Sequence, residues 1–318
     1  MNNKYFPEGI LSTTSENREY LSSLAGLERA MHEGRILEAT VMLCDSQMRL
    51  HVDLCGIEGI IYREEALYCR AGEELKDIAI ITRVGKPVCF KVLAIEHHNG
   101  RPRAILSRRA AQLECMNGYI SDLCCGDIIR TRVTHLENFG AFVDIGCGIS
   151  SLLSVDCISV SRISHPSDRL EVGSYVYVII KSIDRENGRI FVSMRELLGT
   201  WAENAALFEA GQTVAGIVRS IEDYGVFVEL APNLAGLAEI RDNGYKGPSV
   251  SIGQYAAVYI KSIIPERMKI KLVIIDSYKG ALPSSELKYF VDVSKTSHLE
   301  HWMYSPAASS KRVETVFY

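Results

Sequence analysis

Two nine-residue stretches carry rings at a spacing that could grip an unpaired base. One is ENFGAFVDI, Glu137 to Ile145; the other is EDYGVFVEL, Glu222 to Leu230, which follows 85 residues later (Gly140 to Gly225). Each sets a ring before a glycine and a second ring two residues after it: Phe139 and Phe142, then Tyr224 and Phe227. Read as a strand, the first stretch turns Val143 and Ile145 inward and Phe142 and Asp144 outward. A glycine inside a strand marks a bulge or a close backbone approach, and such a break lets Phe139 share the outer face with Phe142. Two rings on an open face stack on bases of any sequence, for about 1–3 kcal/mol per base. The same rings also read as ordinary strand aromatics capping a barrel end. Arg132 and His135, on the strand before Phe139, could line the same face, and His135 reads equally as a surface spectator.

The elements that must position these rings repeat with them. Gly126-Asp-Ile-Ile leads into the first stretch and Gly211-Gln-Thr-Val into the second. GSYVYVIIKSI (Gly173 to Ile183) has its counterpart in GQYAAVYIKSI (Gly253 to Ile263), and RIFVSMRE (Arg189 to Glu196) in KIKLVIID (Lys269 to Asp276). A fainter copy comes earlier. It opens at Gly34, passes through MRLHVDL (Met48 to Leu54) and GKPVCFKVLAI (Gly85 to Ile95), and closes at RAILSRR (Arg103 to Arg109). β-rich runs at Ile128 to Leu136, Gly140 to Ile145, Tyr175 to Ile183 and Arg189 to Val192 are bounded by Gly, Asn, Asp or Pro. About five short strands in roughly 75 residues fit a five-stranded OB-fold barrel. The expected fold is therefore all-β, three tandem OB-fold barrels. A helical lead-in is expected over Glu16 to His32, and a short linking helix in LLGTWAENAALFEAG before Gly211. In the tail, YFVDVS and RVETVFY look like strands that extend the last barrel. The boundaries expected are 1–33 for the lead-in, 34–115, 116–196 and 211–276 for the barrels, 197–210 for the linker and 277–318 for the tail.

Composition narrows the function. The chain of 318 residues is 47% hydrophobic, with net charge −4 and pI near 6.1, which is not the footprint of a protein that holds nucleic acid by bulk charge. Met31 to Cys115 carries 12 Lys/Arg against 12 Asp/Glu, Met116 to Glu196 8 against 10, and Gly211 to Asp276 7 against 7. Binding should thus be weak, salt-sensitive and carried by stacking more than by counterion release. No run approaches the roughly 18 apolar residues of a membrane span, and MNNKYFPEGILSTTSENREY lacks the layout of a secretory signal. Nine cysteines, none in C-x-x-C spacing, read as reduced thiols in a cytoplasmic protein. His298 and His301 form an H-x-x-H too isolated to suggest a metal.

Gly126 to Arg195 resembles an S1 domain, the OB-fold RNA-binding module named after ribosomal protein S1. The likeness runs through GDIIRTRV, NFGAFVDI, the LEVG turn and KSIDRENGRIFVS. Gly211 to Asp276 is similar; Gly34 to Arg109 shares only the frame, with Met48, Arg49 and His51 where the rings would be. The resemblance implies that Phe139 and Phe142 are the base-stacking pair, with Tyr224 and Phe227 at the matching positions. It also implies a charged pair in the turn before the last strand, here Asp184 and Arg189. Arginine can hold a phosphate or stack on a base, and the aspartate can orient it; IDRENGRI also reads as a plain solvated hairpin turn. A histidine common in the family is replaced by Ser154 in the second copy and Glu239 in the third. The third copy further has Ile264 where the second has Asp184, although Lys269 matches Arg189, and Lys246, Lys261 and Lys271 add positive charge.

No nucleophile elbow, Walker loop, H-E-x-x-H or dinucleotide glycine turn is present in the sequence. The expectation is a non-catalytic protein without a cofactor that binds single-stranded RNA. By the resemblance, it would present mRNA to the small ribosomal subunit or act as an RNA chaperone. The alternative is an adaptor whose barrels dock on the ribosome or RNA polymerase without holding RNA.

Overall fold

The computed structural model describes residues 4–70, 72–239, 250–278 and 287–318. It has two compact units, Met1–Leu123 with Asp144–Ser150, and Cys124–Val143 with Ser151–Tyr318. Among the described residues no helix is long and apolar enough to cross a membrane.

The first unit opens with α1 (Ser15–Leu21) and α2 (Leu24–Glu33). The Ser23 hydroxyl caps α2 by accepting from Gly26 N–H, and Gly34 ends it at a φ of 62° that favours glycine. There follow β1 (Leu37–Cys44), β2 (Leu50–Leu54), β3 (Ile57–Ile61), α3 (Asp77–Ile81), β4 (Pro87–His98), β5 (Arg101–Ser107) and α4 (Arg108–Gly118). The strands close as β1-β2-β3-β5-β4. Five strands in a ring cannot all alternate in direction, so one neighbouring pair must be parallel, here β3 with β5. Alternating residues such as Val41, Val52, Phe90 and Leu106 fill the barrel, and Leu27 and Ala30 of α2 join their cluster. Each such apolar side chain contributes about 1.5–3 kcal/mol when buried.

Asp144 corrects the sequence reading, which turned it outward. It is 2% exposed. Its Oδ1 accepts Gly146 N–H at 2.8 Å and Gly148 N–H at 3.0 Å, and its Oδ2 accepts Glu8 N–H at 2.7 Å. The carboxyl thus closes its own turn, which alternation along a strand cannot foresee. Burial, and then the Glu8 carboxylate, push its pKa from 3.8 up to about 7, against the pull of those N–H groups. The folded pKa is raised, so the protonated form stabilises the fold below about pH 4, and that share is lost as pH climbs through 7. The stability of this unit should therefore fall between about pH 4 and 7 and level off above that. Asp144→Asn should flatten that slope, whatever its offset, in urea titrations run across the window.

The second unit holds β6 (Ile128–Glu137), β7 (Gly140–Asp144), β8 (Ser150–Ser154), β9 (Tyr175–Asp184) and β10 (Arg189–Ser193), closed in the order β10-β8-β7-β6-β9, with the ends of β7 and β8 reaching into residues grouped with the first unit. After α5 (Trp201–Ala205) come β11 (Thr213–Glu222), β12 (Gly225–Ala231), β13 (Leu234–Glu239), β14 (Tyr255–Ile264) and β15 (Lys269–Tyr278), closed as β11-β12-β13-β15-β14. The fold is thus mostly β, three five-stranded OB-type barrels. The linking helix is shorter than expected. Gly199 breaks the chain at a φ of 86°, and Thr200 and Glu203 then form a reciprocal capping box that starts α5.

In the tail, β16 (His301–Met303) pairs with β17 (Glu314–Val316). YFVDVS is not a strand. Tyr289 accepts Tyr177 N–H through its hydroxyl and Phe290 N–H donates to Leu197, so the segment is pinned singly rather than by a ladder. Trp302 and Tyr304 enter the third barrel's core, while Ile128 N–H donates to Ser297 and Leu299 N–H to Gly126. The tail therefore lies on both barrels of the unit.

Candidate nucleic-acid interface

Each ring pair sits where a two-strand turn meets a sheet face. Asn138 and Phe139 form the turn between β6 and β7, and Gly140 opens β7. A Cβ on Gly140 would lie 2.5 Å from Leu153 O, and one on Gly225 would lie 2.7 Å from Ala238 O. Only glycine lets the neighbouring strand approach this closely, and the approach carries each first ring onto the same face as the second. Phe139 and Phe142 meet edge to face, centroids 6.0 Å apart at 88°; Tyr224 and Phe227 do the same at 6.1 Å and 90°. Phe139 is 55% exposed and Tyr224 60%, while Phe142 and Phe227 are partly exposed. His135 lies nearly parallel to Phe142 at 6.5 Å, and its Nε2 is 2.8 Å from Glu137 Oε1.

The registers show what shares this face. In the third barrel Ser220 stands opposite Phe227, Phe227 opposite Leu237, and Leu237 beside Lys271. In the second barrel Val155 N–H donates to Phe139 O and Ile145 N–H to Ile149 O, a register that sets Leu152 opposite Phe142. Leu152 in turn lies beside Phe191 of β10. An outward row thus runs His135, Phe142, Leu152, Phe191. The sequence reading missed Phe191. Alternation turned it outward between buried Ile190 and Val192, but only the parallel β8–β10 pair brings it into this row.

Asp184 and Arg189 face each other across β9 and β10. Asp184 also accepts Asn187 N–H at 2.9 Å and its side-chain amide at 2.8 Å, bonds that together with Arg189 hold its pKa below the ordinary value. Arg189 is exposed. Arg132 is placed differently from the rings. It pairs with Tyr175 on β9, its guanidinium 5.8 Å from that ring, and its Nε donates to Gly173 O at 3.3 Å. His135 and Arg132 thus look toward different neighbours of β6.

In the third barrel Lys261 and Lys269 are exposed, Lys269 opposite Ile264. Glu239 is ion-paired with Lys271 at 3.5 Å. Lys246 lies outside the described residues. The Ser154 hydroxyl donates to Asp156. His298 and His301 each face a separate carboxylate, Asp127 and Glu314, both at 2.7 Å. In the first barrel a charged network stands where the rings would be. Asp45 holds Arg49 at 2.7 Å and His51 at 3.1 Å, and Glu58 holds His51 at 3.1 Å and Arg103 at 2.7 Å.

Residues 125–195 match the family model described as S1 RNA binding domain. The small ribosomal subunit protein bS1 of Staphylococcus aureus is 33% identical over 213 residues, 64% of this chain and 53% of that protein. The bS1 of Rhizobium meliloti is 28% identical over 292 residues, 83% of this chain and 50% of that one. The chain spans about half the length of the curated relatives it matches. Among solved structures, the solution structure of GSP13 from Bacillus subtilis aligns at 27% identity, over 23% of this chain and 57% of its own, with a TM-score of 0.22. A Streptococcus pneumoniae multidomain protein with nucleic acid binding domains aligns at 14% identity, over 76% and 73%, with a TM-score of 0.23. The chain is an S1-domain protein, distantly related to ribosomal protein bS1.

Proposed function

We propose that this chain binds single-stranded RNA, with 116–196 as the principal binding domain and 211–276 as a second. The Phe139–Phe142 pair carries the reading: two rings at right angles, the outer one more than half exposed. A base stacks on the rings, Arg189 holds backbone phosphate and Asp184 orients it. Tyr224 and Phe227 offer a second platform, with Lys261 and Lys269 for phosphate. Presentation of mRNA to the small ribosomal subunit, or service as an RNA chaperone, is the role that distant relation to bS1 favours.

Fluorescence anisotropy with a labelled unstructured RNA of about a dozen nucleotides, a length one or two OB platforms can hold, tests this. Phe139→Ala/Phe142→Ala should weaken binding at least about tenfold, within the range for loss of one stacked base. Wild type should lose affinity between low and physiological salt. Binding indifferent to both rings removes the site. Absence of binding at either salt leaves the adaptor reading, in which the barrels dock on the ribosome or RNA polymerase. That reading is favoured by the first barrel, where ionic pairs replace the rings.

A further inference from the structure

We infer that Phe191 is a third base-stacking ring, so that the second barrel holds a base across β10 in addition to those at Phe139 and Phe142. The inference rests on the RNA reading above and extends its site across the sheet. Phe191 lies outward and partly exposed, between the buried Ile190 and Val192. On its own strand it is two residues from Arg189, hence on the same face. Laterally it adjoins Leu152, which stands opposite Phe142. Strands are spaced by about 4.8 Å, so the β10 ring lies two spacings, roughly 10 Å, from the β7 ring. That separation is too large for one base to touch both rings, and Leu152 fills the interval with an apolar shelf. Opposite Phe191 on β9 stands the small, exposed Ser182, which leaves one side of the ring uncrowded.

The third barrel supplies the contrast. The matching position is Lys271, and it is ion-paired with Glu239 on β13. In the second barrel the residue matching Glu239 is Ser154, which carries no charge. The second barrel therefore continues its aromatic face where the third ends in an ion pair. The two barrels should differ in how many bases they engage: the second takes the longer run.

Two variants separate this inference from the reading beneath it. Phe191→Leu keeps apolar bulk and the strand but removes the ring; Phe191→Tyr keeps the ring. With the same 12-nucleotide RNA and circular dichroism to confirm folding, F191L should weaken binding by about 5- to 150-fold, the equivalent of one stacked base, and F191Y should bind as wild type. A second readout is F191W, whose introduced indole should be quenched by RNA; Trp201 and Trp302 are 3% and 6% exposed, so their emission is a steady background. If wild type binds and Phe139→Ala/Phe142→Ala weakens it, yet F191L binds normally and F191W is not quenched, the third ring is refuted and the main site stands. If wild type itself fails to bind, or ignores loss of Phe139 and Phe142, the underlying reading fails instead.

Discussion

Arg108→Met should destabilise the first unit by about 3–5 kcal/mol, the cost of leaving a buried charge without its partner. Arg108 is 1% exposed. Its Nε donates to Glu8 Oε1 at 2.7 Å, one terminal nitrogen to Glu8 Oε2 at 3.1 Å, and the other to Ala66 O at 3.3 Å. Burial pulls the guanidinium pKa down, but the Glu8 carboxylate overrides it and holds the pKa above its ordinary value. Once Arg108 is gone, Arg83 still lies 4.0 Å from Glu8, but it is half-buried and its pKa is lowered by desolvation and by the Arg108 charge. Urea melts of the full chain followed by hydrogen exchange would localise the loss to Met1–Leu123. The decisive comparison is the double variant Glu8→Leu/Arg108→Met, which removes both charges and should recover much of the loss. A double variant as unstable as the sum of the two singles would show that packing, not the ion pair, dominates.

Glu229→Ala should be nearly as damaging to the second unit. Glu229 on β12 is 5% exposed at its side chain and sits between two arginines that are 6% and 7% exposed, Arg169 and Arg219. Arg219 Nε donates to it at 2.7 Å, and a terminal nitrogen of Arg219 lies 3.1 Å from Asp168. Arg169 and Asp168 belong to the loop before β9, whereas Glu229 and Arg219 belong to the next barrel, so the cluster ties one barrel to the other. Burial, opposed by Glu229 and aided by Arg219, lowers the Arg169 pKa. Without Glu229 two buried guanidiniums face each other across Asp168 alone. A cost of about 3–5 kcal/mol corresponds to a fall in Tm of roughly 6–20 °C for a unit of this size. Calorimetry should register it. Arg169→Met/Glu229→Leu should restore part of the loss, and limited proteolysis at the inter-barrel segment should quicken in the single variant but not in the double one. Asn233 gives the junction a second anchor, donating to Arg195 O and Gly199 O at 2.7 Å and accepting Val160 N–H at 2.9 Å, so the barrels should not separate outright.

The sequence by itself determined the repeat, the barrel class and the ring pairs, because each is written in local chemistry. Alternation of Ile129, Thr131 and Val133 with exposed neighbours makes β6 a strand on its own terms, and Gly140 announces a close approach before any partner is known. Tertiary structure decided the rest, because each remaining feature depends on a partner distant in the chain. YFVDVS has strand composition but no ladder to join. Asp144 has an outward position by alternation and is drawn inward by Glu8, 136 residues away. Phe191 is outward by its own strand's pattern, yet it becomes a neighbour of the ring face only through the one parallel pair that an odd-membered barrel must contain. Arg132 lies three residues from His135 and still turns to Tyr175, because a long strand shared by two neighbours gives each half a different one. Period and composition are properties of a segment; register and burial belong to pairs of segments, and only the closed barrel brings those pairs together.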